Sequence, residues 1–147
     1  MIKTDLGSTA YLSLASSRAT RIGEPLFTIG FPVLGSAPSL TEGLVSALSG
    51  LGSEVSYLQI TAPMPPGHSR GPLVNLQGQL VGLVSTSVDD LAFPAATGTA
   101  LQNMSYAVKA DYARPLFEQP APRPAAVTRM EAYERARGAA CRIEVDR

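Results

Sequence analysis

The sequence predicts an all-β protein: a six-stranded antiparallel β-barrel followed by a short helical tail. Six short apolar runs are separated by turn residues, and the 147 residues include 13 glycines and 12 prolines, a content typical of turn-rich β proteins. Several of the runs alternate apolar and polar residues, which is the pattern of strands buried on one face. A chain of this length can bury a hydrophobic core.

The first three predicted strands lie before residue 61. Leu26–Phe31 comes first and ends at Pro32, because proline lacks the N–H group that a strand ladder needs. Leu40–Leu48 follows, with Gly43 as a predicted bulge or point of close approach. Val55–Ile60 alternates apolar and polar side chains, which indicates a half-buried strand.

The other three predicted strands follow a loop rich in glycine and proline at residues 63–72. Leu73–Leu76 and Leu80–Val84 flank Gln77-Gly78, a two-residue hairpin signal in which glycine supplies the positive φ. Met104–Lys109 is the last predicted strand. Together the six strands favour a small antiparallel barrel.

The chain divides by composition into a barrel at residues 1–117, a Pro/Ala-rich linker at 118–126 and a charged helical tail at 127–147. Within the barrel, residues 87–102 form a predicted loop of small and polar residues. Residues 110–117 indicate a short helix, broken at a proline, that closes the barrel.

A helix start is predicted in the tail, because Thr128 and Glu131 have the spacing of a capping box, and Gly138 indicates the helix end. Eleven of the 24 charged residues lie in residues 118–147. We therefore expect the tail to be solvated, with docking of a partner as the alternative.

Charge and cysteine content exclude several function classes. Twelve basic residues balance 12 acidic ones, so nothing favours nucleic acid or an anionic membrane as a partner. The single cysteine, Cys141, excludes an internal disulfide framework. No signal-peptide pattern and no apolar segment long enough to span a membrane is recognisable, so the compartment stays open. We expect neither a metal nor a cofactor.

Ser69 in the glycine-proline loop is the candidate functional residue. It lies between Gly67 and Gly71 and is flanked by two strand-like runs. A loop of this kind can present a hydroxyl and free backbone N–H groups to one point, as acyl transfer requires. On its own the cluster is more typical of a solvated turn, and the flanking segments decide between the two interpretations.

Five segments, in order, resemble trypsin-like serine endopeptidases of the HtrA/Deg type, specifically their second β-barrel. Residues 66–75, Pro-Gly-His-Ser-Arg-Gly-Pro-Leu-Val-Asn, resemble the nucleophile loop P-G-N-S-G-G-P-L-V-N. The other four segments are residues 23–32, 41–46, 78–83 and 105–108. The resemblance extends over roughly residues 1–117 and implies the C-terminal half of a double barrel.

The resemblance implies peptide-bond hydrolysis through an acyl-enzyme. Ser69 would be the nucleophile, and the N–H groups of Gly67 and Ser69 would form the oxyanion hole. The implied substrate-binding residues are Val84, Ser85 and Thr86, as a strand that holds the substrate backbone, with Thr61 and Pro63 in the wall of the specificity pocket. The implied partner is a peptide or an unfolded protein segment.

Three departures from the family pattern argue against catalysis by this chain alone. The family's catalytic histidine and aspartate precede the resembling region, and the residues after Asp5 do not continue the aspartate strand. The only histidine, His68, stands where the family has asparagine, and a residue adjacent to Ser69 cannot easily place its imidazole on that hydroxyl. Arg70 replaces a glycine, which costs about 1–2 kcal/mol if the position needs positive φ.

Two other functions stay open at this point: a non-catalytic peptide-binding module that retains the substrate groove, and a truncated fragment of a longer protease. Half of a double barrel exposes a domain interface of about 1,000 Å². We therefore expect the chain to self-associate or to need a partner that supplies the first barrel.

Overall fold

The computed structural model describes residues 10–32, 37–87, 104–116 and 121–142, and the fold is given for these ranges. The strands are β1 (Pro25–Gly30), β2 (Ser39–Ala47), β3 (Tyr57–Ile60), β4 (Pro72–Asn75), β5 (Leu80–Ser87) and β6 (Ser105–Lys109). They form a closed barrel in the order β1-β2-β3-β6-β5-β4, and every pair is antiparallel. The predicted six-stranded antiparallel barrel is confirmed, and each strand begins within two residues of its predicted start.

The β4–β5 hairpin turns at Gly78, as the Gln77-Gly78 pair predicts. Gly78 has a φ of 75°, and its N–H donates to the Asn75 carbonyl at 3.0 Å. The Asn75 side chain accepts from the N–H groups of Gln77 and Gln79 at 3.1 and 2.9 Å. A buried asparagine therefore fixes this turn together with the glycine.

Side chains that alternate along the strands form two hydrophobic clusters. The barrel interior holds Leu26, Leu58, Ile60, Leu73 and Val84 among others. Because successive strand residues point to opposite faces, the neighbouring residues lie on the outside of β1 and β4. They are nevertheless buried, and they are Phe27, Ile29 and Val74.

Helix α2 (Arg129–Ala139) covers this outer face. Ala132 and Ala136 are completely buried against it, and the Tyr133 ring meets Phe27 edge-on at 4.5 Å. The expectation of a solvated tail is therefore wrong for α2. Small alanines one helical turn apart let the helix approach the barrel closely, while the charged side chains occupy its other faces.

The ends of α2 agree only in part with the sequence. Thr128 caps the helix by accepting from the Glu131 N–H at 3.1 Å, and the Glu131 carboxylate accepts from the Val127 N–H at 2.8 Å. The predicted end at Gly138 is wrong, because the helix continues through Gly138 to Ala139. The N–H of Ala140 still donates to the Ala136 carbonyl at 3.0 Å, which keeps the last turn closed.

Helix α1 (Ala110–Ala113) follows β6 directly and continues as a 3₁₀ turn at Arg114–Leu116. The predicted short helix broken at Pro115 corresponds to these two elements. The loop is expected at residues 87–102, but Ser87 is the last residue of β5, and residues 88–102 and the candidate Asp5 lie outside the described residues. Within the described ranges, neither helix has the length and apolar character that crossing a membrane requires.

Candidate active site

The serine loop, residues 63–72, connects β3 to β4 through two tight turns. In the first, the His68 N–H donates to the Pro65 carbonyl at 3.1 Å, with Pro66 second and Gly67 third in the turn. Gly67 has a φ of 99°, which fits the type II turn that this order of proline and glycine favours. In the second turn the Gly71 N–H donates to the His68 carbonyl at 3.0 Å, with Ser69 in the middle.

Three backbone amides of the serine loop, those of Met64, Gly67 and Ser69, have no hydrogen-bond partner among the described residues, and two of them flank His68. The N–H groups of Gly67 and Ser69 make no hydrogen bond to any described residue, whereas those of His68, Arg70 and Gly71 all do. The loop is therefore held by the amides of His68, Arg70 and Gly71, and the unbonded amides include both residues expected to form the oxyanion hole. Preorganised N–H donors of this kind stabilise a developing negative charge.

Glycines at positions 67 and 30 let the serine loop lie directly on the end of β1. The Phe31 N–H donates to the Gly67 carbonyl at 3.1 Å. A Cβ at position 67 would lie 2.1 Å from the Phe31 carbonyl oxygen, and one at position 30 would lie 2.6 Å from the Gly67 oxygen. Backbone packs on backbone here, so neither position has space for a side chain.

The Ser69 hydroxyl is exposed and donates to the Ser85 carbonyl at 3.2 Å. Among the described residues, no imidazole or carboxylate forms a hydrogen bond with this hydroxyl. The proton of Ser69 is therefore held by a carbonyl and not by a base. A serine hydroxyl without a base is a weak nucleophile.

The His68 ring points to β2 and not to Ser69. It is completely buried, and its Nε2 lies 2.8 Å from the Ser39 Oγ at the start of β2. Its other ring nitrogen, Nδ1, has no hydrogen-bond partner among the described residues. Burial lowers the pKa of His68 below its ordinary value of 6.5, because the charged imidazolium is disfavoured in this site.

We expect His68 to make stability fall as the pH drops below 6.5. Between pH 6.5 and the lowered pKa of the folded state, His68 binds a proton in the unfolded chain but not in the folded one. Acid therefore favours unfolding across this range. Urea unfolding measured from pH 7.5 to 5 should show this decline. His68→Asn, which cannot titrate, should flatten the curve in this range, and an unchanged slope would contradict the assignment.

Arg70 has a positive φ, which is the condition under which the sequence predicted a cost at this position. Its φ is 66°, and its N–H donates to the Val84 carbonyl at 2.8 Å. A left-handed conformation costs a residue with a Cβ about 1–2 kcal/mol, and the glycine that the family has here avoids that cost. Arg70 therefore introduces strain immediately after the candidate nucleophile.

The structure places the expected substrate-binding residues in two different environments. Val84 is buried, and both its N–H and its carbonyl are bonded to the serine loop, at Gly71 and Arg70. Val84 thus holds the serine loop. A peptide could form hydrogen bonds with the Val84 backbone only by displacing that loop. The Ser85 carbonyl accepts the hydrogen bond from the Ser69 hydroxyl, and Thr86 follows Ser85 in β5.

Thr61 and Pro63 are tied to β2. The Thr61 hydroxyl accepts from the Leu44 N–H at 2.9 Å, and the Pro63 carbonyl accepts from the Thr41 hydroxyl at 2.8 Å. Both residues are exposed. These bonds fix the segment that leads from β3 into the serine loop.

An open groove of about 560 Å³ begins at Ser69, and the sequence did not indicate its far wall. One wall is the serine loop, and the others come from residues 10–12, from Leu80 and from residues 139–141 at the end of α2. No local signal marks these residues, since they come from segments far apart in the sequence: residues 10–12 precede the backbone bonds of Ser13 and Ala15 to Leu80, and residues 139–141 stand at the end of α2. Among the described residues, no cluster of three or more histidine, cysteine, aspartate or glutamate side chains could hold a metal ion.

Comparison with known proteins gives matches in sequence. The family model of the trypsin-like peptidase domain matches residues 1–83, which include the serine loop. The uncharacterized protein y4bJ of Sinorhizobium fredii is 38% identical over 112 residues, covering 74% of this chain and 18% of that protein. The serine protease PepD of Mycobacterium tuberculosis is 31% identical over 118 residues, covering 74% of this chain and 25% of that protein. The periplasmic serine endoprotease DegP of Escherichia coli is 41% identical over 76 residues, covering 49% and 16%.

A solved structure matches as well. The HtrA-type protease AlgW, solved with a decapeptide, superimposes with a TM-score of 0.58 at 27% identity, covering 76% of this chain and 33% of that one. The chain spans a quarter or less of the length of these three curated relatives. The family model covers more than half of the chain, and the barrel agrees with it; the chain therefore belongs to the trypsin-like peptidase family and is related to its HtrA-type serine proteases.

Proposed function

We propose that this chain supplies the nucleophile half of a serine endopeptidase site. Ser69 attacks the peptide carbonyl, and the N–H groups of Gly67 and Ser69 bind the oxyanion. The observation that carries the proposal is that the amides on both sides of the loop residue His68 have no hydrogen bond to any described residue, while those of His68, Arg70 and Gly71 hold the loop. Each oxyanion donor contributes about 3 kcal/mol to the transition state.

The reaction needs a base, and the described residues of this chain place none at Ser69. When the Ser69 oxygen bonds to the carbonyl carbon, its proton must pass to a base and then to the leaving amine, after which water hydrolyses the acyl-enzyme. The single histidine of the sequence is buried on Ser39. We therefore infer that histidine and aspartate come from another stretch of polypeptide, a first barrel. Without them we expect kcat to be lower by a factor of about 10⁶.

Phosphonylation of Ser69 tests this proposal. The chain is treated with a fluorophosphonate, with and without imidazole in solution as a substitute base, and the modified residue is identified by peptide mass spectrometry. We expect negligible labelling without imidazole and labelling of Ser69 with it. Ser69→Ala should lose the label, and Ser16→Ala, which removes an exposed serine elsewhere, should keep it.

Labelling spread evenly over the exposed serines, or none at Ser69 in saturating imidazole, would overturn the proposal. Either result would mean that the unbonded amides of Gly67 and Ser69 do not stabilise charge at Ser69. Labelling of Ser69 without imidazole would instead show that the chain contains a base outside its described residues.

A second candidate is non-catalytic peptide binding, which the groove beside Ser69 favours. The structural relative AlgW was solved with a decapeptide, so a related barrel accommodates a peptide. Comparison of the wild-type chain with Ser69→Ala, each supplied with a first barrel, separates the two functions. An endopeptidase hydrolyses peptide as the wild type and loses this activity in Ser69→Ala. A binding module shows no hydrolysis in either form and keeps its peptide affinity in Ser69→Ala.

A further inference from the structure

Arg70 is an exposed charged residue of the serine loop that the proposed chemistry does not use. Its φ of 66° is a left-handed conformation that is costly for a residue with a side chain. Backbone strain retained beside a reacting group is a reason to look for a role of the side chain.

The Arg70 side chain is exposed and has no carboxylate partner among the described residues. Four of the other described arginines are paired with carboxylates. Arg114, Arg129, Arg135 and Arg137 each form an ion pair with an aspartate or a glutamate. With respect to the part of the chain that the structure describes, the guanidinium of Arg70 is thus available to bind an external anion.

Arg70 also lies where a substrate would pass. It lines the groove that begins at Ser69, and it is the only charged residue among the described residues of the lining. The rest of the lining is mainly apolar, with Leu12, Leu80 and Leu83 as its larger aliphatic residues. From β5 the lining includes Leu80 and Leu83 but not Ser85.

We propose that Arg70 selects peptides that carry an aspartate or glutamate side chain within an apolar segment. A guanidinium binds a carboxylate through two parallel hydrogen bonds, which gives specificity as well as affinity. The occupant is an internal acidic residue and not a chain terminus, because endopeptidase chemistry requires the peptide to continue on both sides of the reacting bond. The proposal rests on the function proposed above, since it takes this groove as a substrate groove.

Peptide binding tests the proposal. Decapeptides with acetylated and amidated ends, identical except for one central glutamate, glutamine or lysine in an apolar sequence, are titrated by calorimetry. We expect the wild-type chain to bind the glutamate peptide about fivefold to tenfold more tightly than the glutamine peptide, with the lysine peptide weakest. The preference should shrink as salt is raised.

Arg70→Gln and Arg18→Gln have equal net charge, so their comparison separates a local effect of Arg70 from a general effect of charge. Arg70→Gln should remove the preference for glutamate, and Arg70→Glu should reverse it towards lysine. Arg18→Gln removes an exposed arginine outside the groove and should leave the preference intact. An equal loss in Arg18→Gln would show that the preference comes from overall charge and would overturn the proposal.

Three further outcomes would also overturn it: equal affinity for the three peptides, no binding of any of them, or equally tight binding of a glutamine peptide with a free C-terminal carboxylate. Phosphonylation of Ser69 in imidazole, measured on the same samples, keeps the two proposals apart. Labelling with no charge preference means that the selectivity fails and the catalytic proposal stands. A charge preference without labelling means the reverse.

Discussion

Phe27→Ala should lower the free energy of unfolding by about 3–5 kcal/mol, the range for truncating a completely buried phenylalanine. Phe27 is fully buried although it points out of the barrel, because α2 covers it. Truncation leaves a cavity between β1 and the helix and removes the edge-on contact with Tyr133 at 4.5 Å. Urea unfolding of the full chain measures the loss.

Two control variants show whether α2 is the cause. Val127→Ala truncates a side chain that is 90% exposed just before the helix and should change stability little. Tyr133→Ala should destabilise less than Phe27→Ala, and the double variant should reveal a coupling of about 0.5–1.5 kcal/mol between the rings. A loss below about 1 kcal/mol in Phe27→Ala would match an exposed position and would contradict the docked helix.

The strands could be predicted because their signals are local. Leu26 to Ile29 alternate between the barrel interior and its outer face, and the glycine at position 78 marks its turn by a positive φ. Each of these features depends on a few neighbouring residues. A barrel of six such strands follows from their number and their turns.

The docking of α2 could not be predicted in this way. Its buried face consists of small residues, Ala132 and Ala136, and the helix is otherwise rich in charge, so its composition indicates a solvated segment. What decides the outcome is a second surface, the outer face of β1 with Phe27, which lies about a hundred residues away in the sequence. No pattern within the tail carries that information.

The site shows the same division between local and long-range information. The resemblance located Ser69 and the glycine at position 67. Arg70 was expected to be strained if its position needs a positive φ, and its φ is 66°. The contact of His68 with Ser39 and the bonds of Val84 to the loop join segments far apart in sequence, and only the folded barrel reveals them. The sequence therefore located the candidate nucleophile but not what supports it.

Gly67→Ala should destabilise the chain by about 3 kcal/mol, the sum of a strained left-handed backbone and an overpacked contact. Gly67 has a φ of 99°, and a methyl group there would lie 2.1 Å from the Phe31 carbonyl oxygen. Relief of this clash requires the loop to move away from β1. The amides expected to bind the oxyanion would then lose their position, so phosphonylation of Ser69 in imidazole should fall with stability.

Two other glycines separate backbone strain from overpacking as the cause. Gly23 has a similar φ of 85° but no atom within 4 Å of an added Cβ, so Gly23→Ala should cost only the backbone strain, about 1–2 kcal/mol, and leave labelling of Ser69 unchanged. Gly30 has no positive φ, but its Cβ would lie 2.6 Å from the Gly67 oxygen, so Gly30→Ala should impair labelling through the clash alone. If Gly23→Ala and Gly67→Ala proved equally destabilising, or if Gly30→Ala labelled as the wild type does, the contact between loop and strand would not be what positions the oxyanion donors.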